Sequence, residues 1–105
     1  MRVAFATSNR ATVDEQFRRA SHLAVYEVGA DGQSRLIAVH PFKPDKAIKT
    51  RERMKAIAGV SIVYGVAFLP STVARLREDG IRAATAPAGT PIASILAELE
   101  SREGE

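Results

Sequence analysis

The chain has 105 residues, 46% of them hydrophobic, with no cysteine and no tryptophan, a size at which one modest core is feasible. The lack of cysteine excludes disulfides, thiolate zinc sites, cysteine-ligated iron–sulfur clusters and cysteine nucleophiles, so any metal chemistry falls to histidine, carboxylate, methionine or backbone. The 15 lysines and arginines outnumber the 12 acidic residues for a net charge of +3, a balance that allows an anionic partner without requiring a nucleic acid.

The opening MRVAFAT is too short and too soon polar for a signal peptide, and no apolar run approaches the roughly 20 residues of a membrane span. A soluble, cytoplasmic protein is expected. Residues Arg2 to Thr7 predict a buried strand, with Val3 and Phe5 on one face and Ala4 and Ala6 on the other. Asp14 to Arg19 suit a turn of helix. Leu23 to Val28 predict a second strand, Gly29-Ala30-Asp31-Gly32 a turn, and Arg35 to Val39 a third strand completing a hairpin.

His40-Pro41-Phe42-Lys43-Pro44 is expected to leave the ladder, and Asp45 to cap a helix running to Ala58 and stopped by Gly59. On the wheel of that helix Arg51 falls beside Ala47, Met54 and Ala58, on the apolar side, where its stem can snorkel outward. Val60 to Val66 predict a strand buried on both faces. Pro70 opens a helix ending at Gly80, and Ile81 to Thr85 form a fifth strand. Thr90 and Pro91 suit the cap and first turn of a last helix whose Ile92, Ile95, Leu96 and Leu99 make one apolar stripe. Ser101 to Glu105 read as a frayed tail after a single domain of residues 1–100.

These elements predict an α/β domain with a five-stranded mixed sheet of order 3-2-1-4-5, strand 2 antiparallel, flanked by about three helices. Ligands of such sheets bind beyond the carboxyl ends of the parallel strands, where the winding switches. That edge receives Ser8-Asn9-Arg10 after the first strand and the run from Gly65 into the helix bearing Ser71, whose start suits an anion. It also receives His22 and His40, Arg18 and Arg19, and, early in the following helix, Lys46 and Lys49. The histidines are either surface residues at strand ends or metal ligands. Ser8 and Asn9 are either a turn or a site, and the arginine pair is either solvated or an anion clamp.

The residues Met1 through Arg10 (MRVAFATSNR), Val13 to Phe17, Leu23 to Val28, Val63-Tyr64-Gly65, Ala74-Arg75-Leu76, Gly80-Ile81-Arg82 and Gly89 to Ile92 together resemble the dinitrogenase iron–molybdenum cofactor-binding domain. That domain occurs in NifX, NafY, NifY and the tail of NifB. Ser8-Asn9-Arg10 followed by Val13-Asp14 is most similar to the NifX branch. The resemblance implies a ribonuclease H-like motif and a non-catalytic carrier or chaperone whose cargo is the iron–molybdenum cofactor or its iron–sulfur precursor. It implies as partners the NifB and NifEN-type assembly proteins or apo-dinitrogenase, and as binding residues Ser8, Asn9, Arg10, Gln16, Phe17, Arg18, Arg19, Gly65 and Ser71.

Two positions depart from the family pattern. Many members have Asp-x-His-Phe-Gly where this chain has Asp14-Glu15-Gln16-Phe17-Arg18, and some have cysteine at Gly65. A glutamine amide is a poor ligand for iron or molybdenum. Either His22 or His40 substitutes, or arginines and backbone hold the cluster, or the chain is an interaction module that has lost direct ligation. An enzyme on the same scaffold is disfavoured: a two-metal nuclease needs clustered carboxylates, and the edge offers mainly Asp14, Glu15 and Asp45. Aromatic content of 6% and the lack of an RNA or DNA motif argue against nucleic acid as partner.

Overall fold

The computed structural model describes residues 1–43 and 50–103. In chain order these form β1 (Arg2–Thr7), β2 (Thr12–Val13), a 3-10 turn (Phe17–Arg19), β3 (His22–Val28), β4 (Ser34–Pro41), α1 (Thr50–Ala56), β5 (Ile62–Gly65), α2 (Pro70–Glu78), β6 (Arg82–Thr85), β7 (Thr90–Pro91) and α3 (Ile92–Glu103). The main sheet has the order β4-β3-β1-β5-β6. β3 pairs antiparallel with β1 and β4, whereas β5 and β6 continue parallel to β1. This is a mixed α/β sheet, with an antiparallel meander on one side of β1 and parallel crossovers on the other. Among the described residues no helix is long and apolar enough to cross a membrane.

β1 is buried on both faces: Val3, Ala4, Phe5, Ala6 and Thr7 have no exposed surface. Its small face packs with Leu23, Val25, Val63, Ile57 and Leu76, under α1 and α2. The large face packs with Val28, Ile92, Ile95, Leu96 and Leu99, under α3. There Phe5 stacks on Tyr64 with centroids 5.4 Å apart and meets Tyr26 edge-on at 5.7 Å. Burial, and secondarily Glu98, pushes the Tyr64 phenol above its ordinary value, so it remains neutral. The apolar stripe expected on α3 is therefore the second core, and Glu100 ties that helix to the sheet by accepting from the Ser34 N–H at 2.9 Å and hydroxyl at 2.8 Å.

α2 starts at Pro70 and closes with a Schellman arrangement: Ile81 N–H donates to Leu76 O at 2.9 Å and Gly80 N–H to Arg77 O at 3.0 Å, with Gly80 at φ 75°. Leu76 and Ile81 share one core cluster, the contact that usually accompanies this motif.

Several expectations are corrected. Asp14 to Arg19 form only the short 3-10 turn at Phe17–Arg19, because the two carboxylates hold loops, as described below. β4 continues through His40, opposite Leu23, and Pro41, opposite His22; as an edge strand it tolerates a residue without an N–H. Thr90 and Pro91 do not begin the last helix but pair with Thr12 and Val13, and the Thr90 hydroxyl donates to Pro87 O at 2.6 Å. Two-residue strands leave no periodic signal in sequence. α3 runs through Glu103, into the stretch expected to fray, with Arg102 paired to Glu98 at 2.9 Å. Arg51 is exposed, in keeping with a stem that snorkels outward, whereas α1 buries an arginine that its wheel did not single out, Arg53. The expected cap Asp45, with Lys46 and Lys49, lies outside the described residues.

Leu76→Ala should lower the unfolding free energy by about 2–5 kcal/mol, the range for emptying a buried leucine site. Gly80→Ala should cost about 1–2 kcal/mol through its left-handed backbone. Urea denaturation followed by circular dichroism reads both.

Candidate functional site

The chain leaves β1 at a buried threonine. Thr7 Oγ1 accepts the backbone N–H of Arg10 at 2.9 Å and of Asn9 at 3.3 Å. Asn9 Oδ1 then accepts the N–H groups of Ala11 at 2.8 Å and Thr12 at 2.9 Å, and its amide donates to the Thr12 hydroxyl at 3.0 Å. This asparagine-centred turn sets Arg10 at φ 62°, a conformation few non-glycine residues adopt, and leaves its side chain exposed. Asp14 closes the loop by accepting from both the backbone N–H and the hydroxyl of Ser8. Ser8 and Asn9 thus build the loop, and their polar atoms are engaged within it.

The next segment is held from two sides. The Glu15 backbone carbonyl accepts Val66 N–H at 3.0 Å, and Phe17 N–H reaches Ala67 O at 3.5 Å. The Phe17 ring, fully buried, stacks on Phe68 at 5.9 Å. Gly65 lies beneath this segment. A Cβ there would sit 3.3 Å from the Phe68 ring and 3.4 Å from both Glu15 O and Phe17 N, so close approach of backbone to backbone explains the glycine. Phe17 and Gly65, expected as binding residues, are packing elements that press residues 15–19 onto residues 65–68.

On the other side the Glu15 carboxylate accepts the Ser21 N–H at 2.8 Å and the Ser21 hydroxyl at 2.7 Å. Arg53 reaches up from α1, only 4% exposed, and donates to Ala20 O at 2.8 Å with its guanidinium 4.7 Å from the centre of the Phe42 ring. Burial lowers the Arg53 guanidinium below its ordinary value, and attraction to Glu15 partly restores it. It stays charged at any ordinary pH.

These contacts bring Ser8–Arg10, Gln16–Arg19 and Gly65 to one end of the sheet. Gln16, Arg18 and Arg19 are exposed, and Arg10, Arg18 and Arg19 form no ion pair among the described residues. Ser71 is exposed in the first turn of α2, which has no side-chain cap. The histidines are separated by the pleat. His22 lies opposite Thr7 and Pro41, whereas His40 lies opposite Leu23, so the two project from opposite faces of the sheet and cannot share one metal ion. Among the described residues no group of three or more histidines and carboxylates could hold a metal.

Sequence reasoning missed Glu15 as the centre of the loop, and with it Ser21 and Arg53. Arg53 had a detectable signal, since it lies four residues before the buried Ile57 on one helix face. The Glu15–Ser21 pair spans a 3-10 turn and carries no local periodicity.

The molecule is thus a small α/β domain whose strand ends carry a hydrogen-bonded, arginine-bearing rim. A family model described as "Dinitrogenase iron-molybdenum cofactor" matches residues 1–102, and the chain belongs to that family. It is 33% identical over 103 residues to Protein NifX of Klebsiella pneumoniae, covering 95% of this chain and 65% of that one. It is 26% identical over 109 residues to Protein NifX of Rhodobacter capsulatus, covering 95% and 68%. The chain therefore spans about two thirds of the length of these relatives. The crystal structure of PH0822 superposes with a TM-score of 0.76 over 97% of this chain and 90% of the other at 16% identity, a likeness of fold.

Gly65→Ala should cost about 1–3 kcal/mol, as expected for overpacking against backbone. Arg53→Met should cost about 1.5–3 kcal/mol for the lost charged hydrogen bond and speed amide exchange at Ala20 and Ser21. Hydrogen exchange by NMR reads the second effect residue by residue.

Proposed function

We propose that this chain is a non-catalytic carrier or chaperone in nitrogenase cofactor assembly, binding the iron–molybdenum cofactor or its anionic iron–sulfur precursor on the rim. The observation that supports this most directly is the set of exposed arginines, Arg10, Arg18 and Arg19, that form no ion pair among the described residues, held on a loop whose own polar groups are satisfied internally. Unneutralised guanidinium groups attract an anionic cluster over about a Debye length, near 10 Å at 0.1 M salt. They also donate to sulfide or carboxylate oxygen without forming a covalent bond.

In this reading Ser8 and Asn9 shape the loop, Arg10, Arg18 and Arg19 attract the cargo, and the Gln16 amide and Ser71 hydroxyl donate hydrogen bonds. Phe17 and Gly65 fix the loop against β5. Cargo held largely by charge and hydrogen bonds can pass to an acceptor that offers stronger ligands, which is what a carrier between NifB, a NifEN-type scaffold and apo-dinitrogenase requires. The relatives named NifX and the family description support this assignment.

Purified protein mixed anaerobically with isolated iron–molybdenum cofactor should take up its visible absorption and carry it through gel filtration at micromolar concentration. Arg18→Ala and Arg19→Ala should each weaken uptake about 1.5- to fivefold, roughly the contribution of one exposed charge contact, and added salt should shrink the difference. Absence of uptake would overturn the carrier assignment, and a pull-down in which the empty protein still captures the scaffold would then favour an interaction module.

A further inference from the structure

The hydrogen bonds around Ser21 determine which nitrogen of His22 carries its proton. Ser21 Oγ lies 2.7 Å from Glu15 Oε1 and 3.1 Å from His22 Nδ1. An ionised carboxylate only accepts, so the contact with Glu15 consumes the one hydroxyl proton. The other acceptor within reach, Thr7 O at 3.4 Å, also draws that proton away from the imidazole. Ser21 Oγ can then only accept from His22, which places a hydrogen on Nδ1. A neutral imidazole has one such hydrogen, so Nε2 keeps its lone pair and faces away from Ser21.

This is how an imidazole is prepared to bind a metal: one ring nitrogen donates into a carboxylate-backed hydrogen bond, which sets the tautomer and ring orientation, and the other is left as the donor. Here the carboxylate acts through a serine. Near it, the Arg53 guanidinium is anchored on Ala20 O and feels the charge of Glu15. His22 pairs with Thr7, the residue from which the Ser8–Arg10 loop departs, so its ring lies on the Thr7 face at the strand end where that loop begins. His40 has no hydrogen-bond partner of this kind among the described residues and lies on the opposite face.

We propose that His22 Nε2 is the metal donor of the rim, ligating an iron or molybdenum atom of the cargo, and that Glu15 and Ser21 are positioning residues that hold its ring as the Nδ1–H tautomer. The inference rests on the carrier assignment. It answers the chain's lack of both a thiolate and a histidine at Gln16, because imidazole is the strongest remaining donor for such metals.

Long-range nitrogen–proton NMR of the cargo-free protein, at a pH where the imidazoles are neutral, should show His22 as the Nδ1–H tautomer. Ser21→Ala and Glu15→Gln should shift it toward Nε2–H without altering His40. With isolated iron–molybdenum cofactor, His22→Gln should weaken uptake at least tenfold, Ser21→Ala about threefold, and His40→Gln not at all. An Nε2–H tautomer in the wild type, or undiminished uptake by His22→Gln, would overturn this inference while leaving the carrier assignment standing. No uptake by the wild type would overturn both.

Discussion

The rim is shaped by the way the chain leaves β1. Thr7 is a polar residue with no exposed surface; its hydroxyl accepts the Asn9 and Arg10 amides, which the turning backbone points back at it, and donates to Asn9 Oδ1 at 3.2 Å. Because a buried hydroxyl without partners costs on the order of 1–3 kcal/mol, that turn is strongly favoured once the strand is in the core. The turn forces Arg10 into its left-handed conformation, directs the Asn9 carbonyl onto the following amides, and brings Asp14 back to Ser8. Each later feature, including the placement of Glu15 over Gly65, begins from this exit.

From there the rim separates two kinds of residue. Polar groups near the strand ends are consumed in holding backbone: Ser8, Asn9, Asp14, Glu15 and Ser21 all have partners inside the loop. The long cations stand outside it, exposed and without ion pairs among the described residues. A loop whose polar groups are satisfied internally, with exposed cations standing outside it, is the arrangement on which the proposed binding of an anionic cargo rests. Orientation entropy is saved in the backbone, while attraction is spread over guanidinium groups that water and salt can compete for.

The fold was largely legible in the sequence. Alternation within Arg2–Thr7, the Gly29–Gly32 turn, Pro70 before a helical pattern and the Ile92–Leu99 stripe are local signals of period or turn chemistry, and each corresponds to an observed element. The errors came where neighbours overrode local pattern. Thr90 and Pro91 look like a helix cap and first turn, but Thr12 and Val13 offer them a ladder. Arg51 and Arg53 sit on the same short helix, and the burial of Arg53 depends on Ala20 and Phe42, both distant in sequence. Of the candidate site, the exposed Arg10, Gln16, Arg18 and Arg19 could be placed at one edge from topology. The packing duties of Phe17 and Gly65 could not, since they arise from two loops pressed together.

Composition, periodicity and crossover rules act locally or through topology, and they suffice for the order of the five main strands and three helices, the α/β class, the absence of any thiolate and the gathering of cations near the strand ends. Which polar groups are engaged in holding backbone, and which side chains stand exposed, follows instead from contacts between distant segments. The pleat sends His22 and His40 to opposite faces, and the Glu15 carboxylate reaches across a 3-10 turn to accept a hydrogen bond from the Ser21 hydroxyl. Both depend on register and on distances between groups far apart in the chain, quantities that a one-dimensional pattern does not carry.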